Sequence, residues 1–111
     1  MTTREADSLF SRLILERDKV CQRCGARTGL TCSHYWNRWR AATRFDKDNC
    51  VSLCIRCHRI WEYAKRSVTH EVAEYREFMI KRLGQEKFEE LARRSETFMK
   101  MRDAVEAFMK S

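Results

Sequence analysis

Proline is missing altogether, and glycine appears only three times in 111 residues. Collagen-like and low-complexity chains need these residues in bulk and are excluded. No pyrrolidine ring interrupts any helix. Long apolar runs are missing as well; the longest, such as Leu13-Ile14-Leu15, span only a few residues. A bilayer span needs about 20, so no membrane segment is expected. The first twenty residues carry Arg4, Glu5, Asp7, Arg12, Glu16, Arg17, Asp18 and Lys19. That leaves no apolar core for an export signal, and a cytoplasmic location is expected. With 43% hydrophobic and 35% charged residues, the chain reads as one soluble domain with an appendage.

What is present is positive charge, unevenly placed. The net charge is +7. Residues 1–66 hold 14 Lys/Arg against 7 Asp/Glu, and residues 67–111 hold 9 of each, so the whole excess lies in the first part. From Lys19 to Phe45 there is no acid, but there are six bases: Lys19, Arg23, Arg27, Arg38, Arg40 and Arg44. Such a field attracts a polyanion, and DNA is the partner it suggests. A merely solvated basic face is the plainer alternative.

Cysteine is the other abundance. Six cysteines in a reducing compartment are poor candidates for disulfides. Four form two C-x-x-C pairs, Cys21/Cys24 and Cys54/Cys57, 29 residues apart. Two such knuckles present four thiolates to one ion, the set that zinc prefers. Structural Zn2+ on these four would supply folding energy, about 10–16 kcal/mol in small zinc modules. The alternative is two unrelated thiol pairs. Cys54-Ile-Arg-Cys-His58 is also a c-type haem attachment string. The lack of an export signal, the second C-x-x-C and the basic, aromatic surroundings argue against haem. Cys32 and Cys50 are left over.

Periodicity fills in the elements. Thr2 and Glu5 fit a capping box, and Leu9, Phe10, Leu13 and Ile14 form a core stripe on a helix ending near Asp18. Gly25 closes the first knuckle with an unusual φ. Leu30 to Tyr35 is short and β-prone. Trp36 to Thr43 reads as a polar-aromatic loop, and 44–53 as a return segment turning at Asp46–Asn49. A helix begins at Cys54. Thr69 suits an N-cap. Val72, Tyr75, Met79 and Leu83 repeat at helical spacing, with Gly84 ending that helix in the left-handed conformation. Phe88, Leu91 and Ala92 mark another helix, and Phe98, Met101, Val105 and Phe108 a last one. That last amphipathic helix would pack on the metal-bearing part or on a second copy, a route to a homo-oligomer. The expected division is an N-terminal helix (1–19), a zinc-stapled core (20–66) and a helical extension (67–111).

The order His34, Asn49, His58, threaded through the two knuckles, resembles the HNH endonucleases with a ββα-metal fold. Cys32-Ser-His-Tyr35, Arg44-Phe-Asp-Lys-Asp-Asn-Cys50 and Leu53-Cys-Ile-Arg-Cys-His58 carry the likeness over about residues 20–65. Together with Ile80-Lys-Arg-Leu-Gly-Gln-Glu86, the Arg44–Cys50 run is similar to phage recombination endonucleases of the NinG (Rap) type, which implies a phage or prophage origin. The resemblance implies a small ββα-metal core; with its four-cysteine zinc site, and with the N-terminal helix and helical extension read from periodicity, the expected fold is α+β. The resemblance also implies metal-dependent DNA hydrolysis leaving 5′-phosphate and 3′-hydroxyl ends. His34 would be the general base and His58 a ligand of a catalytic divalent ion such as Mg2+ or Mn2+. Asn49 would either ligate that ion or pin the loop that orients His34. Ser33 stands where many members carry a further metal ligand.

The chemistry is reasonable without the family. A neutral imidazole near its ordinary pKa can take a proton from water at cellular pH. A divalent ion can neutralise charge at the phosphate. Glu62 lies four residues after His58 on one helix face and could be a second ligand; an ordinary surface glutamate is the plainer reading. Arg38, Arg40 and Arg44 are candidates for phosphate contact, and Trp39 for stacking on bases. His70 falls outside the motif. A zinc-containing DNA-binding module without catalysis is the competing function.

Overall fold

Helices at both ends enclose a short β-hairpin. In a computed structural model describing residues 1–111, the order is α1 (Thr3–Asp18), β1 (Leu30–His34), α2 (Ala41–Arg44), a 3-10 turn (Lys47–Asn49), β2 (Cys50–Cys54), α3 (Ile55–Ser67), α4 (Glu71–Leu83), α5 (Gln85–Ser95) and α6 (Met101–Lys110). The chain is therefore α+β, with a two-stranded antiparallel sheet and six helices. No helix is long and apolar enough to cross a membrane.

The local signals act where expected. The Thr2 side chain accepts from the Glu5 N–H while Glu5 caps Thr2 in return, so α1 starts on a reciprocal capping box. Cys54 ends β2 and caps α3, its sulfur accepting from the Cys57 N–H. Two details differ. α2 occupies Ala41–Arg44, across the boundary between the stretch read as loop and the return segment. Gly84 does end α4 at φ +89°, but with ψ 153°, outside the left-handed helical well.

Strand alternation then divides the hairpin into two faces. The register pairs Thr31 with Leu53 and Ser33 with Val51 on one face, and Cys32 with Ser52 and His34 with Cys50 on the other. The first face meets the main core, where Val51 and Leu53 join Trp61 of α3, Tyr75 and Met79 of α4, and Phe88 and Leu91 of α5. Trp61 stacks on Tyr75 at 4.0 Å between ring centroids. Ser33 bonds the Tyr75 hydroxyl at 2.8 Å. Residues after 66 thus complete the core that the knuckles begin, and three of the four knuckle cysteines belong to it. Trp61→Ala should cost about 3–5 kcal/mol, measured as a fall in the denaturant midpoint.

The second face meets α1 through Phe10 and Ile14, which cluster with Cys50. The buried stripe of α1 is Ala6, Phe10 and Ile14, whereas Leu13 is exposed. α6 folds back on its own chain: Phe108 stacks on Phe45 at 5.1 Å and meets Phe10 edge-on. Phe98, read as part of that helix's apolar face, precedes α6 and is 86% exposed.

Candidate functional site

Cys21 and Cys24 sit in a turn closed by the Gly25 N–H on the Cys21 carbonyl at 2.8 Å, with Gly25 at φ +81°. Cys54 and Cys57 flank the start of α3. The Gln22 N–H bonds the Ser52 carbonyl at 2.9 Å, which ties the first knuckle to β2. All four sulfurs lie within 4.8 Å of one another. Cys24 Sγ and Cys54 Sγ are 3.7 Å apart. A tetrahedron with Zn–S near 2.3 Å has edges of about 3.8 Å, so the donor set and its spacing fit zinc. Burial raises the Cys21 thiol, but surrounding hydrogen bonds, led by the Cys54 and Cys24 backbone, bring it down to about 6. The thiolate needed for metal binding is favoured at Cys21, whereas burial pushes the Cys57 thiol up to about 12.

His58 projects from α3 on the core side of the hairpin. Thr31 Oγ1 donates to the Leu53 carbonyl at 2.7 Å, which uses its only proton. The 2.7 Å contact between Thr31 Oγ1 and His58 Nδ1 must then be donated by the imidazole. His58 Nε2 is left with its lone pair, 3.9 Å from Glu62 Oε1. Glu62 is shared with Lys65 at 2.9 Å. His58 and Glu62 line a cleft with Thr31, Arg59, Tyr63 and Arg66.

His34 projects from the opposite face. Its ring lies 6.1 Å from Phe10 of α1, and His34 Nε2 meets the Arg44 carbonyl at 2.9 Å. A carbonyl only accepts, so Nε2 carries the proton and Nδ1 keeps the lone pair. Burial is the main reason that its pKa falls to about 4; the Arg44 carbonyl opposes this. His34 is consequently neutral at ordinary pH.

Asn49 is fully buried and does the pinning. Its Oδ1 accepts from the Trp36 N–H at 2.8 Å, while Nδ2 donates to the Trp36 and Thr43 carbonyls at 3.0 and 3.1 Å. Every polar atom of the amide is used inside the loop that presents the Arg44 carbonyl to His34. Of the two roles for Asn49, loop positioning matches this geometry and metal ligation does not.

His34 and His58 are therefore not brought onto one face. The clefts they line, one against α1 and one against α3, share Thr31 at the free edge of β1. The basic candidates also divide. Asp7 takes Arg44 in a two-pronged pair at 2.9 and 2.6 Å and also holds Arg38 at 2.9 Å. The Arg44 side chain is 13% exposed, so DNA could reach it only by displacing Asp7. Arg40 lies over Trp36 and Trp39 and bonds Ser95 Oγ at 3.2 Å. Arg38 and Trp39 remain exposed. The exposed arginines of α3, Arg56, Arg59 and Arg66, were not singled out from the sequence, although their spacing on one helix carries that signal. His70 is on the surface beside Glu71.

Compared with family models, with curated proteins and with solved structures, the chain gives no match.

Proposed function

We propose that the chain is a metal-dependent DNA endonuclease in which His34 is the general base, with His58 and Glu62 the protein ligands for a divalent ion. The observation that carries this reading is the state of the two imidazoles. Each has one N–H fixed inside the fold and one lone pair left over, and their clefts adjoin at the edge of β1. A strand crossing that edge would pass the cleft lined by His34 on one side and the cleft lined by His58 on the other. His34 would draw a proton from water; the Arg44 carbonyl holds the ring and accepts from its other nitrogen. Thr31 orients His58. Arg38 on one side and Arg59 and Arg66 on the other supply positive charge toward phosphates. A divalent ion at His58 and Glu62 would neutralise charge on the scissile phosphate and leaving oxygen.

The placement of His34 and His58 on opposite faces favours a second reading, a zinc-bearing DNA-binding module without hydrolysis. Plasmid incubated with the zinc-loaded protein and Mg2+ or Mn2+ separates the two. Nicking or linearisation that disappears in His58→Ala supports the enzyme; binding without cleavage under every divalent ion supports the module. In both cases DNA affinity should fall steeply with salt, as read by fluorescence anisotropy between about 50 and 200 mM salt.

A further inference from the structure

Cys32 and Cys50 have no part in the four-thiolate site, yet the fold gathers them. The register places four side chains on the hairpin face toward α1: Cys32 opposite Ser52, and His34 opposite Cys50. The donor atoms of Cys32, His34 and Cys50 lie within 4.8 Å of one another. Cys50 is fully enclosed and His34 is 9% exposed, while Cys32 borders the α1 cleft. With Nε2 engaged by a carbonyl, Nδ1 is the nitrogen left to ligate, and in metal sites the nitrogen that does not ligate commonly donates to a carbonyl or carboxylate. Here that acceptor is the Arg44 carbonyl. Independently, Ser52 Oγ is buried on the same face with no hydrogen-bond partner. A buried hydroxyl without a partner is costly and calls for one.

We propose that Cys32, His34 and Cys50 form a second zinc site of three protein ligands, with Ser52 Oγ hydrogen-bonded to the solvent molecule that completes the tetrahedron. Two thiolates, one imidazole and an open fourth position suit zinc. With one protein ligand fewer than the four-cysteine site, it fills at higher free zinc. Its consequence rests on the reading of His34 as general base. An ion on Nδ1 occupies the lone pair that would accept the proton from water, so zinc in excess switches hydrolysis off. Release of that ion restores the base.

Zinc content of the full chain, measured by elemental analysis after equilibration against graded zinc buffers, tests the site apart from activity. The wild type should hold one equivalent at low free zinc and two at high. Cys32→Ser, nearly isosteric at a half-buried position, should keep the first and lose the second, with an unchanged circular dichroism spectrum. Cobalt titration should show a second set of thiolate charge-transfer and tetrahedral bands in the wild type alone. Saturation of the wild type at one equivalent overturns the site, and so does a second equivalent that persists in both Cys32→Ser and Cys50→Ser. Cleavage then tests the consequence: high zinc should suppress it at least tenfold in the wild type and not in Cys32→Ser. Equal suppression in both overturns the switch. Two equivalents bound by a chain that cleaves no DNA with any ion would keep the site and remove the nuclease reading.

Discussion

Stripped of zinc by a strong chelator, the chain should lose its cooperative fold. Zinc contributes about 10–16 kcal/mol in small modules, and whole domains are stable by only about 5–15 kcal/mol. The location of the thiols makes the loss general. Cys21, Cys54 and Cys57 belong to the same buried cluster as Trp61, Tyr75 and Leu91. Four thiols without an ion would leave a polar, poorly matched pocket at the edge of that core, where Cys24 is exposed and the other three sulfurs are buried. Cys57 lies in the first turn of α3, so a displaced sulfur also disturbs the helix that carries Trp61. The expected result is loss of near-ultraviolet dichroism and of the thermal transition on chelation, both regained with added zinc. An unchanged transition in zinc-free protein would show that the apolar core suffices alone.

His34→Ala should reduce DNA cleavage by about 10²–10⁴-fold, the usual contribution of a general base, equivalent to about 3–5 kcal/mol of barrier. DNA affinity should change little, since an imidazole this enclosed adds little to phosphate binding. His34→Gln is the companion variant: its amide can still donate to the Arg44 carbonyl but takes no proton. Rates equal to wild type in both would remove His34 from the mechanism. The pH profile gives an independent sign. Burial lowers the His34 pKa to about 4, so the neutral form that accepts a proton persists down to that region. Between about pH 7.5 and 6, an imidazole with pKa near 6.5 would lose its neutral form about fourfold. Cleavage by this chain should lose almost none over that window on His34's account. A fourfold fall would mean that the ring is more open in solution than this geometry has it.

Legibility varied with how local each signal was. The capping box at Thr2 and Glu5, the helix starting after Cys54 and the helix ending at Gly84 are written in a few adjacent residues, and each is where those residues place it. The paired C-x-x-C spacing likewise announced a common ion, and the four sulfurs do converge. Phe98 misled because helical spacing continues past a helix boundary without marking it. Arg44 looked available because its partner, Asp7, lies 37 residues away on another helix. Asn49 was readable as a ligand or as a loop pin until the partners of its amide were known.

From sequence alone came the two paired thiols that could hold a metal, the helices and the concentration of positive charge, since each depends on residue type and short spacing. Only the tertiary structure decided which face of the hairpin each histidine occupies. That choice follows from strand register and from which helix covers which side, and a shift of one residue would exchange the faces. The same register assembles Cys32, His34, Cys50 and Ser52 under α1 from two segments sixteen or more residues apart. No local pattern specifies such a contact, because the free energy that enforces it comes from burying Phe10 and Ile14 on one side and Trp61 and Tyr75 on the other.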